Sequence, residues 1–418
     1  MLHNQQGLMA AVRERFAHVD ACPFSGARIF LETAGGALTL KSVVETTARL
    51  AAVPDNQGRD NPASAALVAM IAQGKADMRL FLNATTGTVF VGESGTEILF
   101  RLIRTACMAT PPGRVLGSTL EHPASRSACG HWAAAAGKDY LCLPHDDAAG
   151  CVTAADYAAH ITPDTRVATI VHTSPVTGMR VDVGAIAATI RATAPDCLII
   201  VDGIQHAAHG GLDIDSYGID GYAISPYKVF SRHGYGVGWA SDRLTALPHE
   251  RLAGSAADSW ELGTRDTSAY ATFSDVVRHF EWLGQSVGAM GDARAAIVAA
   301  SEAIRTHEDG LVAAMLHGTG GRPGLAAMPR AVVIGGVDNP AREGLVSFAV
   351  KGMAAEAVVA GLNARGIRAH TRKADHYSGN ILVPLGLDSC VRVSFGHYNT
   401  LSEIEALLEA LPSVIATA

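Results

Sequence analysis

Between residues 197 and 241 the chain reads CLIIVDGIQHAAHGGLDIDSYGIDGYAISPYKVFSRHGYGVGWAS, with Asp202 closing an apolar run and Lys228 following about one crossover later. An apolar run ending in a polar residue is the pattern of a strand buried on both faces, and ligands of open α/β sheets bind outside the carboxyl ends of such strands. Alone, Lys228 reads as a solvated surface lysine and Asp202 as a helix cap or turn residue. Together they meet a specific demand. One supplies an amine for a Schiff base, and the other a carboxylate that can hold a pyridine nitrogen protonated, so that an aromatic ring accepts electrons. Upstream, Ser94-Gly95-Thr96-Glu97 matches the S-x-x-E capping box, and a helix start with free amides is also an anion site. Glu121-His122-Pro123-Ala124 comes next. By itself His122 reads as a polar turn residue, but a histidine titrating near neutral pH there would suit a proton relay.

The elements that must position these residues alternate between β-rich runs and helical patterns, which predicts a parallel sheet with crossover helices. Strands are predicted at 86–92, 114–118, 139–143, 167–173, 197–202, 221–225 and 236–240. The clearest helix is 182–194, where Val183, Ile186, Ile190 and Ala194 recur at helical spacing before Pro195. Beyond 240 two long helical stretches run to about 306, and a glycine-rich loop, HGTGGRPG at 317–324, follows. Strands near 330–335, 345–351, 366–370 and 390–395, with helices at 353–364 and from 401, form a second, smaller α+β unit. The expected division is a large domain over 20–290 and a small domain built from 1–19 and 295–418.

Composition narrows the class. Of 418 residues, 48% are hydrophobic, 6% aromatic and 17% charged, with 43 glycines. This excludes disordered, collagenous and disulfide-scaffold chains. The 33 basic and 40 acidic residues leave a net charge of −7, which argues against nucleic acid or an anionic membrane as partner. Seven scattered cysteines with no Cys-x-x-Cys pair fit reduced thiols, no metal site and a cytoplasmic location. There is no signal-like start and no apolar run long enough to span a membrane. Gly234-Tyr235-Gly236-Val237-Gly238 leads into a strand and lacks the G-x-G-x-x-G form of a nicotinamide site.

The pairing of Asp202-Gly203-Ile204-Gln205 with Ser225-Pro226-Tyr227-Lys228 resembles the D-G-x-Q and S-x-x-K motifs of the class V aminotransferases, pyridoxal-phosphate enzymes of fold type I. The likeness covers residues 28 to 411 and implies a mostly parallel seven-stranded sheet with a smaller α+β carboxyl-terminal domain. It also implies pyridoxal 5'-phosphate as cofactor, with Lys228 as the Schiff-base lysine, Asp202 on the pyridinium nitrogen and Gln205 on the ring oxygen. Ser225 and Tyr227, together with Gly95, Thr96 and Ser94 at the helix start, are implied for the phosphate. His122 in the E-H-x-A motif would stack on the ring. Trp260-Glu261-Leu262-Gly263-Thr264-Arg265-Asp266-Thr267 resembles E-x-G-T-x-x-T, which implies a homodimer with shared sites and Thr264 reaching the neighbouring subunit's phosphate. Arg392, in a segment similar to R-x-S-x-x-x-Y-N-T, would bind the substrate α-carboxylate. One departure is Pro175, which stands where the family commonly has an asparagine.

The loop His370-Thr371-Arg372-Lys373-Ala374-Asp375-His376-Tyr377 contains no cysteine, so persulfide chemistry is not expected. Its cationic groups, notably Arg372 and His376, would select a substrate with a second anionic group. The expected activity is an aminotransferase reaction on a small amino acid, through an external aldimine. A β-eliminating C–S lyase or an epimerase or racemase is the alternative, and a non-catalytic cofactor-binding protein is the remaining one.

Overall fold

The computed structural model describes residues 2–416. Seven strands form the larger sheet: β1 (Thr88–Gly92), β2 (Arg114–Ser118), β3 (Asp139–Leu143), β4 (Thr165–Val171), β5 (Leu198–Asp202), β6 (Gly221–Ile224) and β7 (Gly236–Ala240). Their spatial order is β1-β7-β6-β5-β4-β2-β3. All neighbours are parallel except β7, which runs antiparallel to both β1 and β6. The strands lie within two residues of the predicted runs at each end. Every residue of β5 is buried, as a central strand covered on both faces requires.

Helices cover the sheet: α1 (Leu8–Glu14), α2 (Lys41–Ala51), α3 (Pro62–Leu82), α4 (Gly95–Ala109), α5 (Pro123–Ala135), α6 (Val183–Thr193), α7 (Thr267–Ser286) and α8 (Ala293–His317). Local chemistry sets their ends. In α6 the Asp182 carboxylate accepts from Ala185 N at 2.9 Å and the apolar stripe Val183, Ile186, Ala187 and Ile190 is buried. Asp266 and Asp292 cap α7 and α8 in the same way. The second long helix runs to His317, past the predicted end, and the glycine-rich segment that follows is a tight hairpin pairing Gly318–Thr319 with Arg322–Pro323.

A second sheet holds β8 (Ala331–Val333), β9 (Leu345–Val350), β10 (His370–Lys373) and β11 (Ser389–Ser394) in the order β8-β9-β11-β10, all antiparallel. Helices α9 (Ala355–Asn363) and α10 (Leu401–Ala416) pack on it around Val346, Phe348, Val391, Val393, Leu407 and Leu411. The predicted strand at 366–370 is divided: Ile367–Arg368 pairs in parallel with Ile29–Phe30, and β10 begins at His370. Within the segment 1–19, grouped from sequence with the smaller unit, residues 8–16 touch both parts. Leu8, Val12 and Phe16 join the core under the large sheet, while Arg13 reaches the Tyr398 carbonyl and Glu403. Among the described residues no helix is long and apolar enough to cross a membrane.

Candidate active site

The carboxyl ends of β1, β2, β4, β5 and β6 converge on one cavity lined by Thr96, His122, Val171, Thr173, Pro175, Asp202, Ile204, Gln205, Ser225, Tyr227 and Lys228. Lys228 ends a single helical turn, Pro226–Lys228, that follows β6, and its Nζ donates to Gln205 Oε1 at 3.1 Å. Burial, with Arg392 and Arg372 nearby, lowers the lysine to about 7 against the pull of Asp202. Near neutral pH a large share of it is therefore an uncharged nucleophile. Asp202 closes β5, and its Oδ1 accepts from Ile204 N at 3.0 Å. Burial raises it to about 6, in spite of that bond and of Lys228. Such a carboxylate gains strongly from a cation placed against it.

Helix α4 begins beside Ser225. Ser94 is its N-cap, accepting from Glu97 N at 3.1 Å, while Glu97 turns back to Glu93 N at 3.2 Å and not to Ser94. The capping box read from the sequence is thus half formed. A Cβ at Gly95 would overlap Ser225 Oγ and lie 2.6 Å from Ile204 Cδ1, and one at Gly236 would lie 2.6 Å from Gly95 N. Only glycine lets β7, the helix start and the Ser225 turn meet this closely, which leaves the first amides of α4 facing a cradle suited to an anion. Tyr227 stacks on His233 with ring centroids 4.2 Å apart.

His122 caps α5 through Nδ1, which accepts from Ala124 N at 3.1 Å. Burial and the cations Lys228 and Arg372 lower it to about 3. The expectation of a histidine titrating near neutral pH is corrected here: His122 is a neutral ring carrying its hydrogen on Nε2. Its neighbour Glu121 is buried, raised to about 8, and accepts from Thr169 Oγ1 at 2.8 Å.

The smaller sheet closes the site. Strand register sets Arg392 opposite His370 and Cys390 opposite Arg372, so both arginines project from the same face. Arg392 is buried and its Nη1 donates to the Pro175 carbonyl at 2.9 Å. Proline at that position removes a side-chain amide, yet its backbone oxygen anchors the arginine. Burial and Arg372 lower Arg392 to about 9. Tyr377 lies 5.7 Å from the His122 ring, and Asn380 donates to the Thr119 carbonyl, fastening this loop to the large sheet. His376 is exposed and packs on Tyr377 at 4.1 Å.

Not every expected residue is brought to the cavity. Thr264 is exposed and lines a separate surface cleft with Leu50, Asp55, Arg265 and Asp266. None of the seven cysteines lines the cavity; Cys390 is buried and raised to about 11. Sequence reasoning passed over Thr173, which donates to Glu343 at 2.7 Å, and the pair behind Gln205, where His209 Nδ1 meets Glu308 Oε2 at 2.7 Å. The histidine four residues after Gln205 was a visible signal, but its partner lies 99 residues away.

The family model described as aminotransferase class V matches residues 29–407. The chain belongs to the class V aminotransferases. Among curated relatives, an aminotransferase-like protein, FGM3, of Gibberella zeae is 28% identical over 80% of each chain. A cysteine desulfurase-like protein, ustD, of Aspergillus flavus is 27% identical over 91% of this chain and 86% of its own. The solved structure of the cysteine desulfurase CsdA from Escherichia coli superposes with a TM-score of 0.79 at 23% identity, covering 98% of both chains, and shares the fold. Class V aminotransferases are pyridoxal-phosphate enzymes of fold type I, and this chain is one. The residues present fit the group: a buried amine at about 7, a carboxylate raised by burial, and a glycine cradle at a helix N-terminus.

Proposed function

We propose that this class V aminotransferase is a homodimer that transfers the amino group of a small amino acid carrying a second anionic group. The observation that carries the reading is the convergence of Lys228, Asp202 and Gln205 on one cavity, with Arg392 and Arg372 on the sheet that faces it. When bound, pyridoxal phosphate supplies the electron sink. Lys228 would hold the group through its Nζ and, once substrate has displaced it, would take up the substrate Cα proton. Asp202 would keep the ring nitrogen protonated, and Gln205 would meet the ring oxygen. The amides of Gly95 and Thr96, with the hydroxyls of Ser225 and Tyr227, bind the phosphate; the Ser94 hydroxyl lies beside them, already spent on its cap. His122, which lines the same cavity, would pack against the ring. Arg392 takes the α-carboxylate, and Arg372, with His376 at the rim, takes the second anion.

Thr264 lies away from the cavity of its own chain, which supports its reaching the phosphate of a second copy. The same reading keeps the large domain at 20–290 and the small domain at 1–19 and 295–418. A cavity without a lining cysteine favours transfer over persulfide chemistry. β-Elimination needs the same residues and is the second reading.

Purified protein should absorb in the visible, and Lys228→Ala should abolish that band. Acidic and neutral amino acids, assayed for ammonia and keto acid with and without an added keto acid, then separate the reactions. Product formed only with the added keto acid supports transamination. Ammonia released without it overturns transamination in favour of elimination.

A further inference from the structure

Behind the lysine runs an unbroken buried chain: Lys228 Nζ to Gln205 Oε1 at 3.1 Å, Gln205 Nε2 to His209 Nε2 at 3.1 Å, and His209 Nδ1 to Glu308 Oε2 at 2.7 Å. Gln205, His209 and Glu308 are at most 4% exposed. His209 leaves the turn after β5, whereas Glu308 stands on α8. The other groups facing His209 are Lys228, Glu343 before β9, and His397 after β11.

Donor and acceptor arithmetic fixes the polarity of this chain. A lysine ammonium only donates, so it requires the Gln205 oxygen. The Gln205 amide nitrogen then points at His209 and requires a lone pair on Nε2, which leaves His209 neutral with its hydrogen on Nδ1, donated to Glu308. A second proton on His209 makes Nε2 a donor as well. Gln205 must then turn its amide over, giving its oxygen to His209 and its NH2 group to the Lys228 side of the cavity. In that state the cavity gains a donor for an anionic oxygen and loses its acceptor for an ammonium.

We propose that His209 and Glu308 are positioning residues forming a proton-controlled switch that sets which end of the Gln205 amide faces Lys228 and the cofactor. The proposal rests on the reading above that places the cofactor's ring oxygen at Gln205. Two arrangements follow, a neutral His209 with a lysine ammonium, and a charged His209 with an uncharged lysine or an anionic ring oxygen. Glu308 decides between them. Burial by itself would strip the proton from His209, and the adjacent carboxylate more than offsets this, raising its proton affinity. The sequence places residues 205 and 209 one helical turn apart, but only the fold brings Glu308 to them.

The test follows the visible band of the lysine–cofactor linkage in the holoenzyme from pH 6 to 10, for wild type, Glu308→Gln and His209→Gln, with histidine ring 15N shifts recorded on the same samples. Glu308→Gln replaces the carboxylate by an amide of the same size, and His209→Gln replaces the titrating ring by an amide, so neither variant keeps a carboxylate-stabilised second proton at this position. The amide oxygen then faces the ring oxygen, so the proton on the linkage is held more tightly. The midpoint should rise by about one pH unit, roughly a tenfold change in proton affinity. In Glu308→Gln one histidine should also lose its charged-form signal. A normal band whose titration is the same in all three proteins overturns this proposal alone. A wild-type preparation that takes up no pyridoxal phosphate overturns the cofactor reading, and this proposal with it.

Discussion

The floor of the cavity and the wall opposite it are built by opposite rules. On the floor, Lys228, Gln205 and Asp202 each have a hydrogen-bond partner within the large sheet and its loops. On the wall, Arg392 and Arg372 each carry a buried Nε without a partner among the described residues, and each lowers the proton affinity of the lysine across from them. A buried donor left unpaired costs free energy, commonly about 1–3 kcal/mol, so these guanidiniums are poised to gain from an incoming anion. The floor is furnished for a resident group, and the wall for one that exchanges.

Floor and wall should therefore respond differently to substitution. Lys228→Ala should have the largest effect, removing the visible band and lowering turnover by at least about 10⁴-fold, because nucleophile and base are lost together. Asp202→Asn should keep the fold and the cofactor yet reduce kcat by roughly 10²–10³-fold, read in single-turnover kinetics. On the wall, Arg392→Ala should act on kcat/KM, by about 30-fold or more, the equivalent of about 2 kcal/mol for removing one side of a buried charged pair. Arg372→Ala should shift the preference for acidic over neutral substrates by about tenfold. An unchanged preference would remove the second-anion reading.

The smallest effect concerns the lysine's own charge. Because burial and the two arginines lower Lys228 to about 7, its reactive free amine dominates above that pH and falls about tenfold per unit below it. The rate of pyridoxal phosphate incorporation should rise to a plateau near pH 7 to 8. A rise continuing to pH 10 would show an ordinary, solvated lysine.

What the sequence disclosed was local. Asp202 and Gln205 share one turn, Lys228 ends the short helical turn after the next strand, and their types and spacing sufficed to name the chemistry. The seven strands were legible because β5 and its neighbours are dominated by apolar, β-favouring residues. Less legible was whatever depends on distant pairing. The cross-strand register that puts Arg372 and Arg392 on one face, the meeting of His209 with Glu308, and the Arg392 bond to Pro175 span from 20 to 217 residues. His122 misled for a related reason: its residue type suggests a titrating group, whereas its burial beside two cations keeps it neutral.

The Pro175 carbonyl carries one last consequence. It holds Arg392 in a single orientation while belonging to the large sheet's loop, so the two sheets share a strut at the place where substrate must dock. An arginine already immobilised has surrendered its rotamer freedom during folding, which spares an incoming carboxylate about 0.5–1.5 kcal/mol of ordering cost. The residue that looks like a loss in the sequence, a proline in place of a side-chain amide, thus acts as a rigid peg. It converts chain stiffness into affinity.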